Sequence, residues 1–96
     1  MKFEYDVKKS QANNRKHGVS FEKAKSIWDD DFLILPAINK GEDRFVIIGR
    51  VENKIYSCVF TLRGGKVRII SCRRSRDKEK RGYYEKISGR YSCFIS

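Results

Sequence analysis

The sequence predicts an α+β domain: two N-terminal helices, an antiparallel sheet of three to five strands, and a C-terminal helix. Three observations carry that reading. Phe21, Ala24, Ile27 and Trp28 recur at three- and four-residue spacing, the period of a helix with one buried stripe. Between residues 32 and 73, short runs rich in Ile, Val and Phe alternate with turn residues, as in a meander of strands. Beyond Ser75 the chain becomes strongly charged and reads as a last helix through about Ile87. Ninety-six residues hold one core, so we expect a single domain over 1–96, with 85–96 as an extension or tail.

The elements follow in order. Phe3-Glu4-Tyr5 alternates as a short strand would, and Asp6 is placed to cap a helix over 7–17 that Gly18 ends. Val7, Ser10, Asn14 and His17 fall on one weakly apolar face of it. Ser20 caps the second helix, with Val19 set to pack against Ala24. Asp29-Asp30-Asp31 opposes the helix dipole, so that helix should stop before them. Phe32–Leu35 is a strand ending at Pro36, and Gly41-Glu42-Asp43 turns the chain into a strand over Arg44–Arg50. Glu52-Asn53-Lys54 turns into Ile55–Leu62, and Gly64-Gly65 makes the hairpin to Val67–Arg73. Ser75 should cap the last helix, running to about Ile87 and ended by Gly89. Strand alternation puts Val67, Ile69, Ser71 and Arg73 on one face and Arg68, Ile70, Cys72 and Arg74 on the other.

Composition narrows the function classes. The net charge is +10, and residues 66–96 carry most of it, with 10 basic and 3 acidic side chains. The block Arg68, Arg73, Arg74, Arg76, Lys78, Lys80 and Arg81 suits a polyanion, though a solvated face has the same composition. No run is long enough to span a membrane, and the opening residues lack the apolar stretch of a secretion signal, so a cytoplasmic protein is expected. Cys58, Cys72 and Cys93 form no CxxC pair; the first two read as small hydrophobes within strands. With one histidine and no paired carboxylate spacing, neither zinc nor another metal is expected, and no glycine-rich phosphate loop occurs.

Few residues are left for chemistry. His17, the only histidine, sits in Arg15-Lys16-His17-Gly18 at a helix end, where it either shuttles a proton or simply caps and packs. Arginines on a rigid strand can hold a phosphate, or else pair with Glu42, Asp43 or Glu79. Tyr83 and Tyr84 stand beside the basic block; one belongs to the core and the other can stack a base. A nuclease built from such groups would act on RNA without metal, using the 2′-OH as nucleophile.

The chain resembles the BrnT toxins in serial blocks. Phe3-Glu4-Tyr5-Asp6, Asn13 and Lys16-His17-Gly18-Val19-Ser20-Phe21-Glu22 form the first. Gly41-Glu42-Asp43-Arg44-Phe45 with Ile48-Gly49-Arg50 form the second. Arg68–Arg74, Lys78-Glu79 and Tyr83 form the third, and Tyr5 and Cys72 depart from the usual tryptophan and alanine. The likeness covers about residues 1 to 84 and carries nothing over to 85–96. It implies a RelE-like endoribonuclease toxin of a type II pair, neutralised by a BrnA-type antitoxin that also represses the operon and alone contacts operator DNA. Under that resemblance Arg73, His17, Arg68 and Lys16 form the catalytic set, while Arg44, Arg74, Glu79 and Tyr83 contact RNA. The rival is a non-catalytic basic module holding nucleic acid or an acidic protein; the basic surface can also serve to receive an acidic antitoxin segment.

Overall fold

In the computed structural model, which describes residues 2–37 and 43–92, Asp6 starts the first helix. Its Oδ1 accepts from the amides of Lys8 and Lys9 at 2.8 and 3.2 Å, and α1 spans Val7–His17. Gly18, at φ 77°, ends α1 in the left-handed conformation that glycine adopts without strain. Ser20 Oγ accepts from Lys23 N at 3.2 Å and caps α2, Phe21–Ala24. The second helix is therefore shorter than its apolar stripe suggests: a 3-10 segment takes over at Lys25–Asp29. The tighter winding seats Ile27 against β3, where a Cβ at Gly49 would come within 2.7 Å of Ile27 Cγ2.

Five strands follow the register of one sheet, ordered β1-β5-β4-β3-β2. They are β1 Phe3–Glu4, β2 Phe32–Ala37, β3 Arg44–Val51, β4 Lys54–Arg63 and β5 Lys66–Arg74. The sheet is mixed rather than antiparallel, because β1 pairs parallel to β5, Phe3 with Val67 and Glu4 with Arg68. No hairpin links those two strands, so nothing forces them to run in opposite directions. Pro36 lies within β2 at the sheet edge, where its missing N–H costs no ladder bond. The turn expected at Gly41-Glu42 lies outside the described residues. Gly64 and Gly65, at φ 59° and 79°, make the two-residue turn from β4 to β5.

The sheet is covered on both faces. Phe21, Ala24 and Ile27 pack on Ile47, Tyr56, Cys58, Phe60, Ile69 and Cys72. On the opposite face α3, Asp77–Ser92, lays Tyr83 and Ile87 against Ile48, Ile55, Leu33 and Val46. Two expectations for α3 are corrected. Ser75 does not cap it: its N–H continues the ladder to Ile55 O, and its hydroxyl shares a 2.7 Å hydrogen bond with Ser57. Gly89 does not end it, since it keeps a helical backbone without positive φ, at about 1 kcal/mol relative to alanine. Among the described residues, no helix is long and apolar enough to cross a membrane.

The inner face of α1 also differs from expectation. Val7 and Asn14 are exposed, while Ser10 and Asn13 are buried. The reason is hydrogen bonding rather than apolar burial. Ser10 Oγ accepts from Phe21 N at 2.9 Å. Asn13 Nδ2 donates to Val19 O at 2.7 Å, and its Oδ1 accepts from Cys72 N at 3.1 Å. One carboxamide thus ties α1 to the following turn and to β5. Asn13→Ala orphans a buried acceptor and a buried donor, and should lower unfolding free energy by about 2–3 kcal/mol. Asn14→Ala should change it by less than about 0.5 kcal/mol, as read from urea midpoints.

Candidate nucleic-acid interface on the open face of the sheet

Register places the arginines. Val59 pairs with Ser71 but Phe60 pairs with Ile69, so Ile70 is an extra residue on β5. That bulge breaks the simple alternation expected for this strand. Before it, Val67 and Ile69 face the α1/α2 core; after it, Cys72 does so and Arg74 follows, its guanidinium 5.9 Å from the Tyr56 ring centre. Arg68, Ser71 and Arg73 all turn to the other face. Directly across the ladder, Arg44 pairs with Thr61 and Thr61 with Arg68, which puts Arg44 on that face too. Helix α3 packs against β2, β3 and the Ile55 end of β4, so the rest of β4 and β5 on this face carries no covering helix.

Carboxylates organise this surface. Arg73 is gripped by Glu79 through both oxygens, Nη1 to Oε1 at 2.8 Å and Nη2 to Oε2 at 2.9 Å. Glu79 Oε1 also accepts from Arg76 N at 2.8 Å, the reciprocal bond of a helix start, with Arg76 O accepting from Lys80 N. The Arg73 hydrogen bonds hold the Glu79 carboxyl below its ordinary range against the opposing effect of burial, with Arg76 N–H and Ser57 adding to the lowering. Glu79 in turn raises the Arg73 guanidinium, so both stay charged. Arg68 makes a looser pair with Glu4 at 3.8 Å, about a third exposed on each side. Ion pairing is thus part of what these arginines do, with Glu79 the partner of Arg73.

A shallow groove of about 260 Å³ adjoins the open face at the free edge of β5. His17 and Lys16 line it from the end of α1, with Lys9 one turn earlier, and Ile70 and Ser71 line it from the bulge. Ser71 is the junction, since it belongs both to the groove and to the face bearing Arg68 and Arg73. His17 is half-buried there.

The structure therefore brings Lys16 with His17, and Arg44, Arg68 and Arg73 with one another, the two groups meeting at Ser71. Arg74 stands on the opposite face. Tyr83, expected to contact RNA, is 2% exposed within the α3 core and has no free ring face, because a helix on the sheet must bury something there. Its neighbour Tyr84, at 47%, faces solvent. Sequence reasoning gave no role to Asn13, Ser57 or Ser71. The adjacent apolar pair Ile69-Ile70, which breaks alternation, was the signal for the bulge.

A family model described as "Ribonuclease toxin, BrnT, of type II toxin-antitoxin system" matches residues 5–79. No curated protein sequence matches the chain. The matched span contains the His17 groove with Arg44, Arg68 and Arg73, and stops before Tyr83.

The Arg73–Glu79 pair yields a prediction. Because the Glu79 carboxyl is lowered by folding, its contribution is present above the ordinary glutamate range and is lost as pH falls through and below that range. Glu79→Gln should cost about 1 kcal/mol at neutral pH, the partial exposure of Arg73 limiting the loss. The difference from wild type should shrink on acidification, as seen in urea unfolding at a series of pH values.

Proposed function

The chain belongs to the BrnT family of type II toxin–antitoxin ribonuclease toxins, and from that premise we propose that its open sheet face and the His17 groove form a metal-independent endoribonuclease site. The reading is carried by one observation: the bulge at Ile70 turns Arg68 and Arg73 to the same face, next to Ser71, which also lines the groove of the chain's only histidine.

In this reading the scissile phosphate lies over Ser71. The RNA 2′-OH attacks the adjacent phosphorus, and the 5′-oxygen leaves. His17 exchanges the proton, as acceptor from the 2′-OH or donor to the leaving oxygen. Charge grows on the phosphoryl oxygens as the nucleophile closes, and that is where guanidinium groups lower the barrier. Arg73 is the main phosphate holder. Three of its five N–H donors are used, by Glu79 and by Arg74 O, leaving two for the phosphate on a fork that is already oriented. Arg68 and Lys16 add positive field, and Arg44 extends the surface along the sheet for the rest of the RNA. Glu79 acts on RNA through Arg73 and Tyr83 through the seating of α3, while Arg74 would meet RNA only as a strand wraps the β5 edge.

The remaining parts of the proposal follow the family. The protein acts in the cytoplasm with a RelE-like layout, supported by a sheet carrying helices on both faces. Its partner is a BrnA-type antitoxin, and operator DNA is reached only through that antitoxin in a co-repressing complex.

Purified protein freed of antitoxin should cleave RNA in the presence of EDTA; intact RNA would overturn the proposal. His17→Ala should slow cleavage by roughly 10²–10⁴-fold with little change in RNA affinity, which separates an enzyme from a basic binding module. Arg73→Ala should abolish growth arrest while the variant still binds antitoxin. An equally toxic Arg73→Ala protein would remove that residue from the site.

A further inference from the structure

The bulge at Ile70 also sets the spacing of polar groups along the open face. Lys66 and Arg68 lie two residues apart on β5, and so do Ser71 and Arg73. Arg68 and Ser71 are three apart in sequence, yet their ladder partners Thr61 and Val59 are only two apart, because the bulge takes up the extra residue. Lys66, Arg68, Ser71 and Arg73 therefore stand in single file on one face, at equal intervals of about 7 Å, the two-residue repeat of a strand. Arg63 pairs with Lys66 across the last rung of the β4–β5 hairpin, and alternation puts it on the face of Thr61 and Arg68, away from Leu62. The file thus ends on two adjacent cations beside the turn at Gly64-Gly65. Both are exposed, and neither has a carboxylate partner among the described residues, whereas Arg68 meets Glu4 and Arg73 meets Glu79. Like charges directly opposite on a ladder repel each other, so this rung is relieved when an anion lies over it.

We propose that Arg63 and Lys66 form a distal phosphate subsite for a single strand of RNA running along β5, two nucleotides from the bond cleaved over Ser71. The proposal rests on the ribonuclease reading for the position of that bond, and on strand register for the subsite. One nucleotide of an extended strand advances the backbone by about the step that separates these positions, so successive phosphates meet Ser71, Arg68 and the Arg63–Lys66 rung. A cationic track of this kind holds the backbone and is indifferent to the bases. It therefore selects substrate by length: single-stranded RNA that reaches at least two nucleotides past the cleaved bond on one side. An acidic protein segment meets the same charges, but the file leads from the hairpin straight to the Ser71 position, and RNA is the occupant that uses its whole length.

The test uses the full toxin chain freed of antitoxin and RNA oligonucleotides methylated at every 2′-oxygen but one, which fixes the bond that can break. Wild-type kcat/KM should rise several-fold when the oligonucleotide is lengthened from one nucleotide to three on one side of that bond. The double variant Arg63→Ala with Lys66→Ala should cleave the long and the short substrate alike. The charge-keeping double variant Arg63→Lys with Lys66→Arg should retain the preference, which separates lost charge from misfolding. Binding of fully methylated RNA, followed by fluorescence anisotropy over a salt series, should lose about 0.7 in the slope of log K against log salt for each cation removed. Lys54→Ala, which removes a cation from the opposite end of β4, should keep the wild-type slope. A double alanine variant with the wild-type salt slope and length preference overturns the proposal. So does one that loses antitoxin affinity while binding RNA as the wild type does, which would assign the rung to an acidic protein segment. A wild-type chain that binds RNA through Arg63 and Lys66 yet cuts none would sink the ribonuclease reading alone, because the salt slope is read without cleavage.

Discussion

One strand has to satisfy two demands at once. β5 must bury Val67, Ile69 and Cys72 beneath α1 and α2, and it must deliver Arg68 and Arg73 to the opposite face. With strict alternation residues 69 and 72 would point to opposite sides, and so would 68 and 73. The extra residue at Ile70 resolves both conflicts together. Past Arg68 the outer edge of β5 has no strand beside it, and there the Asn13 carboxamide takes up the Cys72 N–H from the side of α1. The same side chain donates to Val19 O, so the end of α1 that carries Lys16 and His17 is tied to the β5 edge just beyond the bulge.

The electrostatics of the open face follow from that geometry. A strongly basic surface is repelled by itself, and flexible arginines would lose entropy on gripping a phosphate. The protein deals with both through carboxylates. Glu79 starts α3, lowers the local repulsion and holds the Arg73 fork in one plane, while Ser57 and Ser75 fill the junction beneath it. Because Glu79 sits in the first turn of α3, packing that helix on β2 and β3 and orienting the Arg73 guanidinium are a single event.

The two faces divide the work in this reading. The face bearing Arg44, Arg68 and Arg73 is charged and left open by α3; the other is closed by α1 and α2 except near the β4–β5 hairpin, where Trp28 borders an apolar groove. A thin sheet with its covering helices offset from one another leaves an uncovered corner on each side. One corner carries arginines and the other apolar side chains.

Local chemistry determined a good deal by sequence alone. Asp6, Ser20 and Gly18 mark helix ends because capping needs only a side-chain oxygen or a left-handed backbone, and Gly64-Gly65 sets its hairpin for the same reason. The buried stripe Phe21, Ala24 and Ile27 was legible from period, and the serial motifs pointed to the family that residues 5–79 match. Four things were decided only by tertiary structure. The parallel pairing of β1 depends on where β5 returns, which no local signal encodes. Asn13 rather than Asn14 faces inward because its partners, Val19 O and Cys72 N, come from two other segments. Tyr83 rather than Tyr84 is core because the sheet chooses which side of α3 is buried. The shared face of Arg68 and Arg73 comes from one inserted residue, and an insertion is defined only against the neighbouring strand. Periodicity describes a segment by itself, whereas register is a relation between segments, and this candidate site is built from register.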